Sequence, residues 1–192
     1  MIYMVNLLPI KFKKQSEPMY CYVNCLKMVI DYAIDELKVS QRRLTVNAIA
    51  KCTRTHPLEG TIIMDIERIN ELLIDSVPQI SFKDQVGGSL PDIIMELHGE
   101  NPVPLIAWIL GVEDDGDRIF HSIVINGVTE DRTQIFYVDP ARTVDDYQCD
   151  EEIGEFLDNK LGVSGRLVKL KISKKGHKDL LGKVHPLTRG RN

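Results

Sequence analysis

Apolar residues in the first part of the chain recur at the spacing of a helix. Residues 20–38 contain neither Gly nor Pro. The apolar positions within them follow three- and four-residue steps: Cys25, Leu26, Val29, Ile30, Ala33 and Leu37. This period places them on one side of a helix, so the pattern predicts a long helix with a single buried face.

Three shorter helices are predicted downstream, each near a residue that favours a helix start. They cover residues 45–52, 62–75 and 90–98, with Thr45, Thr61 and Ser89 as the capping residues. Between the last two of these helices, the segment Asp84–Gly88 ends in two glycines, which predicts a turn.

The second half of the chain has the short β-branched and aromatic runs that are typical of strands. These runs cover residues 103–110, 119–128, 133–139 and 166–172. The last run alternates apolar and polar residues, which predicts an edge or one-sided strand. Residues 149–161 return to helical spacing. Helices followed by a small antiparallel sheet predict an α+β fold class.

We interpret residues 1–172 as a single domain that begins with an apolar strand or arm over residues 1–14. A chain of 192 residues is long enough for one domain with a sizeable core. Residues 173–192 are rich in Gly, Lys, His and Arg, which predicts a basic and flexible C-terminal tail.

Composition and charge limit the function classes. The net charge of −4 gives no general attraction to nucleic acid, and no apolar run approaches the ~18 residues that a membrane span needs. The apolar N-terminus lacks a basic leader and a small-residue cleavage site, so we do not interpret it as a signal peptide. We expect a cytoplasmic protein with reduced cysteines, although a bacterial effector exported without a cleaved signal would share these features.

Cys21 is a candidate nucleophile because it falls in the first turn of the long predicted helix. Pro18 lies just upstream, where a helix start tolerates proline. The unpaired N–H groups and the positive dipole end at this location favour a thiolate over a thiol. The alternative is a small buried hydrophobic residue, which free cysteines often are. Cys25, one helical turn later, is interpreted as such a core residue.

His121 and Asp139 lie on two consecutive predicted strands joined by the polar loop 129–132. If the loop is odd in length, Ile125 faces Ile135 and His121 faces Asp139, with Cβ atoms about 4.5–5.5 Å apart. A loop of even length is expected to offset the two side chains diagonally, still within reach. An imidazole oriented by a carboxylate can accept the proton of a thiol nucleophile. The alternative is a core histidine that Asp139 satisfies.

Gln15 precedes Cys21 by six residues, in a segment predicted to be extended. Its side-chain amide can donate an N–H to a developing oxyanion, with the backbone N–H of Cys21 as the second donor. By itself, a glutamine at this spacing is more often a surface residue.

These parts together resemble the peptidase C39-like branch of the papain-like cysteine peptidases. The resemblance rests on Gln15-x5-Cys21 before an apolar helix, and on His121-Ser-Ile-Val-Ile-Asn-Gly-Val followed by Ile135-Phe-Tyr-Val-Asp139-Pro140. It spans residues 7–170 and implies a papain-like fold. In that fold the N-terminal half is helical, its central helix carries the cysteine, and a C-terminal antiparallel sheet carries the histidine and the aspartate. The implied roles are Cys21 as nucleophile, His121 as general base, Asp139 as orienting acid and Gln15 as oxyanion donor.

Three aromatic residues are candidates for the substrate cleft: Tyr20, Tyr22 and Trp108. The two tyrosines flank Cys21, where many relatives carry Asp or Gly. Tyr22 resembles the aromatic residue that follows the nucleophile in some papain-like branches. We expect the tyrosines to narrow the cleft, whereas the alternative for Trp108 is packing in the core.

The resemblance implies a cysteine peptidase for a peptide or protein substrate, with no cofactor and no metal ion. The chain shows neither a GxxxxGK[ST] phosphate loop nor a membrane span, so we do not expect it to be the peptidase end of a peptide-exporting transporter. Cleavage after paired glycines therefore cannot simply be inherited. Acyl transfer of the transglutaminase type and a non-catalytic binding domain of the same fold remain open. A metal site at Cys21 and Cys25 is disfavoured because no second spaced pair is present.

Overall fold

One six-stranded antiparallel sheet organises the structure, a computed structural model that describes residues 6–61, 66–112, 118–162 and 165–173. The helices are α1 (Cys21–Asp35), α2 (Val46–Thr53), α3 (Ile66–Ser76), α4 (Leu90–Leu97) and α5 (Ile153–Glu155), which continues as a π-helical segment (Phe156–Leu161). The strands are β1 (Ile80–Val86), β2 (Leu105–Val112), β3 (Arg118–Val128), β4 (Gln134–Val138), β5 (Gln148–Glu152) and β6 (Arg166–Ile172). Their order in the sheet is β1-β6-β2-β3-β4-β5. The predicted α+β class is confirmed.

Two of the predicted helix caps are present. The side-chain oxygen of Thr45 accepts a hydrogen bond of 3.1 Å from the backbone N–H of Ala48 at the start of α2. At the start of α4, the Asp92 carboxylate accepts hydrogen bonds from the backbone N–H and the hydroxyl of Ser89. Each cap satisfies N–H groups that the first helical turn leaves unpaired.

Some predictions concern residues outside the described ranges. The cap predicted at Thr61 would bond N–H groups of residues 62–65, which lie outside the described ranges. The helix is described only from Ile66 onward, as α3. The predicted tail is described only at its first residue, Ser173. Residues 6–14 belong to no strand and form an irregular arm.

The prediction of a turn over Asp84–Gly88 is wrong for its first three residues. Strand β1 continues to Val86 because its backbone pairs with β6, where Val86 faces Arg166. Arg166 also donates a hydrogen bond of 2.8 Å to each carboxylate oxygen of Asp84. The chain turns only at Gly87, whose φ is +71°.

The prediction that residues 166–172 form an edge or one-sided strand is also wrong. Strand β6 lies between β1 and β2, and four consecutive residues, 167–170, are buried. The polar residue that produced the alternating pattern is Lys169. Its ammonium group is buried but lies 3.1 Å from the Asp92 carboxylate and 3.6 Å from that of Glu96. A paired charge can occupy an interior strand, which a hydropathy pattern does not reveal.

The predicted helix over residues 149–161 begins late. Its first part is strand β5, in which Cys149 pairs with Tyr137 of β4. Helical structure starts at Ile153, and its apolar face is kept, with Phe156 and Leu161 buried. Pairing with the open edge of β4 decides the conformation of residues 148–152.

Alternate residues of the central strands pack on opposite faces of the sheet. Ile106 of β2 contributes to the core that contains α1, α2 and α3, whereas Leu105 and Ala107 contribute to the core that contains α4 and Phe156. Helix α1 is buried along nearly all of its length, from Tyr22 to Ile34. A helix packed this tightly gives its first residue a defined position. In the described part of the chain, no helix is long and apolar enough to cross a membrane.

Candidate active site

Cys21 is the first residue of α1. Tyr20 occupies the cap position, and its carbonyl oxygen accepts hydrogen bonds from both the backbone N–H and the side-chain amide of Asn24, at 3.0 and 2.9 Å. Asn24 is buried, so its amide is committed to this turn. The thiol therefore lies at the positive end of the helix dipole, as its sequence position predicts.

Gln15 is tied to the same region through its backbone. Its N–H donates a 2.9 Å hydrogen bond to the carbonyl of Pro140, the residue that follows Asp139. The side-chain Nε2 donates to the carbonyl of Pro18 at 2.7 Å. This bond uses one of the two amide protons and leaves the second available. The structure therefore brings Gln15 close to the loop after Asp139.

His121 and Asp139 are hydrogen-bonded, with 2.7 Å between Nε2 and Oδ1. The same Oδ1 accepts the backbone N–H of Ala141 at 2.9 Å, and Arg142 Nε lies 3.8 Å from Oδ2. The carboxylate is thus held in place from two sides. Because Nε2 is engaged by Asp139, Nδ1 is the ring nitrogen left to interact with Cys21, which raises the pKa of His121.

The hairpin that carries this pair has a loop of even length, which is one of the two alternatives that the sequence left open. Val128 pairs with Ile135, which leaves a loop of even length over residues 129–134. A bulge at Asn126 then shifts the register, and Ile125 pairs with Tyr137 rather than with Ile135.

The bulge decides whether the histidine and the aspartate can meet. Continued without a bulge, the register at the loop would place His121 and Asp139 on opposite faces, because side chains alternate along a strand. The extra residue returns them to one face. In the shifted register Asp139 is opposite Ile123, so His121 is its diagonal neighbour. The diagonal offset predicted for an even loop therefore arises only through the bulge. Such neighbours are within reach of long side chains.

A pair of side-chain amides, one buried and one half-buried, holds the bulge. The Asn126 side chain donates to the Gln148 side chain at 3.1 Å and accepts a hydrogen bond from it at 3.2 Å. Asn126 also donates to the carbonyl of Leu8, and Gln148 donates to the carbonyl of Tyr137, both at 3.1 Å. We call this the Asn126–Gln148 amide pair. Sequence reasoning missed it, although an Asn before a Gly in a strand is a common signal of a bulge.

The electrostatics of the site favour an ionised pair. Burial by itself raises the pKa of the Cys21 thiol, but the hydrogen bond and charge of His121, with backbone N–H groups of Ser122 and Tyr22, leave that pKa below its ordinary value. Burial lowers the pKa of His121, yet the bonds to Asp139 and Cys21 raise it to about 9. The pKa of Asp139 is lowered, because His121 outweighs the effect of burial. Each of the two groups therefore favours the charged form of the other.

The other thiols lack this environment. Burial raises the pKa of Cys25 well above its ordinary value and also raises that of Cys149. The Cys52 Sγ donates to the carbonyl of Arg68 at 2.9 Å. Within the described ranges, no group of three His, Cys, Asp or Glu side chains is arranged to hold a metal ion.

Two cavities flank the site. One, of about 310 Å³, is lined by Cys21, Tyr22 and Trp108. The other, of about 530 Å³, is lined by His121 and Asp139. Of the three aromatic residues predicted to form a cleft, Tyr22 and Trp108 lie in the wall beside Cys21. Tyr20 packs against the core around α1 instead.

No family model and no curated protein matches the sequence. Solved structures do match. One is a double glycine motif protease from an AMS/PCAT transporter in complex with its leader peptide, at 14% identity and a TM-score of 0.56, covering 88% of this chain and 95% of that one. Another is a putative C39-like peptidase from Bacillus anthracis, at 15% identity and a TM-score of 0.52, covering 89% of this chain and 100% of that one. The chain therefore has a C39-like peptidase fold.

Iodoacetamide at pH 7 should label Cys21 much faster than Cys25, Cys52 or Cys149. The thiol pKa of Cys21 is lowered, burial raises the pKa of Cys25 and of Cys149, and Cys52 Sγ is engaged by the carbonyl of Arg68. In His121→Ala the thiol loses its main stabilising partner, and we expect labelling of Cys21 to slow by roughly tenfold or more. Peptide mass spectrometry of labelled protein measures both effects. Equal labelling of all four thiols would contradict the ionised pair.

Asn126→Ala should slow labelling of Cys21 and also lower the free energy of unfolding by about 1–3 kcal/mol, because it removes the hydrogen bonds of the buried Asn126 amide to Gln148 and Leu8. The matched control is Asn70→Ala. Asn70 is another side-chain amide with two hydrogen bonds, to the backbone of Phe82, away from the site. Denaturant unfolding should show a similar loss for both variants. Labelling of Asn126→Ala at the rate of Asn70→Ala would show that the bulge does not position the pair.

Proposed function

We propose that this protein is a cysteine peptidase that hydrolyses peptide bonds in a peptide or protein substrate. The observation that carries the proposal is the chain of contacts from Cys21 through His121 to Asp139 at the start of a buried helix. A thiolate paired with an imidazolium, whose far nitrogen is held by a carboxylate, is the arrangement that nucleophilic acyl transfer requires. The similarity to C39 peptidases shows the fold and agrees with this chemistry.

The reaction begins when the Cys21 thiolate adds to the scissile carbonyl carbon. The imidazolium of His121 then gives its proton to the leaving amine, which departs and leaves a thioester on Cys21. Asp139 keeps the ring oriented and stabilises the imidazolium. Water, deprotonated by the now neutral His121, adds to the thioester and releases the acid product and the thiolate.

The oxyanion that forms in both steps is stabilised by hydrogen-bond donors. The backbone N–H of Cys21, at the first position of α1, is one, since helix-start N–H groups have no partner within the helix. We assign the second to the free amide proton of Gln15. The hydrogen bond from Gln15 to Pro18 holds the amide in the segment just before Cys21.

Gln15→Ala should lower kcat by about 10²–10³-fold with a small effect on KM, because an oxyanion donor acts mainly in the transition state. Cys21→Ala should abolish hydrolysis. Incubation with a mixture of peptides of varied sequence, read by mass spectrometry, detects cleavage of any member of the mixture. Cys149→Ser, a thiol outside both cavities, is the control that should retain activity. Undiminished cleavage by Cys21→Ala would contradict the proposal.

The rate of hydrolysis should follow a bell-shaped pH profile. On the acid side it falls when the Cys21 thiolate is protonated, at a pH below the ordinary thiol pKa of 9.0 because that pKa is lowered. On the alkaline side it falls near pH 9, where His121 loses the proton that the leaving amine needs. In Asp139→Asn the alkaline limb should move to lower pH, since Asp139 helps raise the pKa of His121. An unchanged alkaline limb in that variant would show that His121 is not the acid.

A further inference from the structure

The cavity beside Cys21 has one wall of stacked aromatic rings. Trp108 of β2 meets the Tyr22 ring edge-on and stacks with Phe120 of β3, each at 6.0 Å between ring centroids. Phe120 is nevertheless 64% exposed. A large apolar side chain that is held rigidly and left in solvent next to a reactive thiol is suited to contact a ligand.

The opposite wall is a tight loop that lies against the segment before Cys21. His56 and Gly60 exchange two backbone hydrogen bonds, of 2.9 and 2.8 Å, and Gly60 has a φ of +75°. A Cβ on Gly60 would lie 3.4 Å from the Cβ of Met19, so the loop approaches that residue closely. The flexible thioether of Met19 lines the cavity and can adapt to the shape of an apolar guest.

One polar group in the aromatic wall lacks a partner among the described residues. Trp108 Nε1 is buried, and no acceptor for it occurs in that part of the chain. Buried N–H groups are nearly always hydrogen-bonded in folded proteins. An unpaired N–H group on a residue that lines a cavity therefore indicates that a bound ligand supplies the acceptor. The carbonyl of a peptide bond is such an acceptor.

The position of this cavity indicates which side of the substrate it serves. His121 must give its proton to the leaving amine, so the amine side of the substrate lies next to the imidazole. His121 and Asp139 line the other cavity, whereas this one is lined by Cys21 and not by His121. The cavity beside Cys21 therefore faces the acyl side of the scissile bond.

We propose that this cavity binds a large apolar side chain of the substrate on the acyl side of the scissile bond, with Trp108 Nε1–H donating to a backbone carbonyl of the same peptide. The proposal rests on the peptidase function proposed above and gives it a substrate class. A volume of about 310 Å³ is at the lower end of ligand pockets and suits one or two amino-acid residues. The expected preference differs from the double glycine motif named for one structural neighbour.

Three dipeptide nitriles test the preference: N-acetyl-Leu-Gly-nitrile, N-acetyl-Gly-Leu-nitrile and N-acetyl-Gly-Gly-nitrile. The Cys21 thiolate adds to the nitrile carbon while the nitrile nitrogen takes the proton of His121, which gives a reversible thioimidate. Binding is measured as protection of Cys21 from iodoacetamide. At least one leucine nitrile should bind about tenfold or more tightly than the diglycine nitrile. Equal affinities, or tighter binding of the diglycine nitrile, would overturn the proposal.

Two variants separate the parts of the subsite. Phe120→Ala should reduce the advantage of the leucine nitrile, whereas Trp108→Phe, which keeps a ring but removes the N–H, should weaken all three nitriles. Met95→Ala removes another exposed apolar side chain, on α4 and outside the cavity, and should change nothing. An unchanged leucine preference in Phe120→Ala would overturn the role of the aromatic wall.

The same measurements distinguish this proposal from the peptidase function. If Cys21 is selectively labelled and binds all three nitriles equally, the thiol chemistry stands and the apolar subsite is wrong. If Cys21 is not selectively labelled and reacts with none of the nitriles, the peptidase function is wrong and the subsite falls with it.

Discussion

The interaction between the Cys21 thiol and the His121 imidazole is the one on which the rest of the site depends. Two largely buried charges are stable only when each has further partners. Asp139 is a second partner for His121, and the backbone N–H groups of Ser122 on β3 and of Tyr22 at the helix start are further partners for Cys21. The buried helix α1 and the sheet are thus required to bring together groups that are 100 residues apart in the chain.

The N-terminal arm links these groups a second time. Leu8 exchanges backbone and side-chain hydrogen bonds with Asn126 at the bulge, and Gln15 bonds the residue after Asp139. The same short segment then enters α1 at Cys21. An arm without regular secondary structure therefore connects Cys21, the hairpin bulge and the loop after Asp139. A substitution in the arm should therefore disturb the positions of all three, since buried polar contacts have few alternative arrangements.

Several features were predictable because they depend on local chemistry. The helix over 21–35 follows from its apolar period. Thr45 caps α2 because its side chain accepts the N–H of Ala48, and Asp92 caps α4 because its carboxylate accepts the N–H of Ser89. Strand β1 and the interior position of β6 were not predictable in the same way. They depend on a pairing between residues some 80 positions apart, and on the ion pairs that make a buried Lys169 tolerable.

The sequence by itself determined which residues could do the chemistry: a cysteine at a helix start, a histidine and an aspartate on neighbouring strands, and a glutamine upstream. Only the tertiary structure decided that they meet. The hairpin has an even loop, and the bulge at Asn126 returns His121 and Asp139 to a common face. That bulge is held by Gln148 and Leu8, which are remote in sequence. Side-chain alternation is a local rule, but strand register is set by contacts between distant segments.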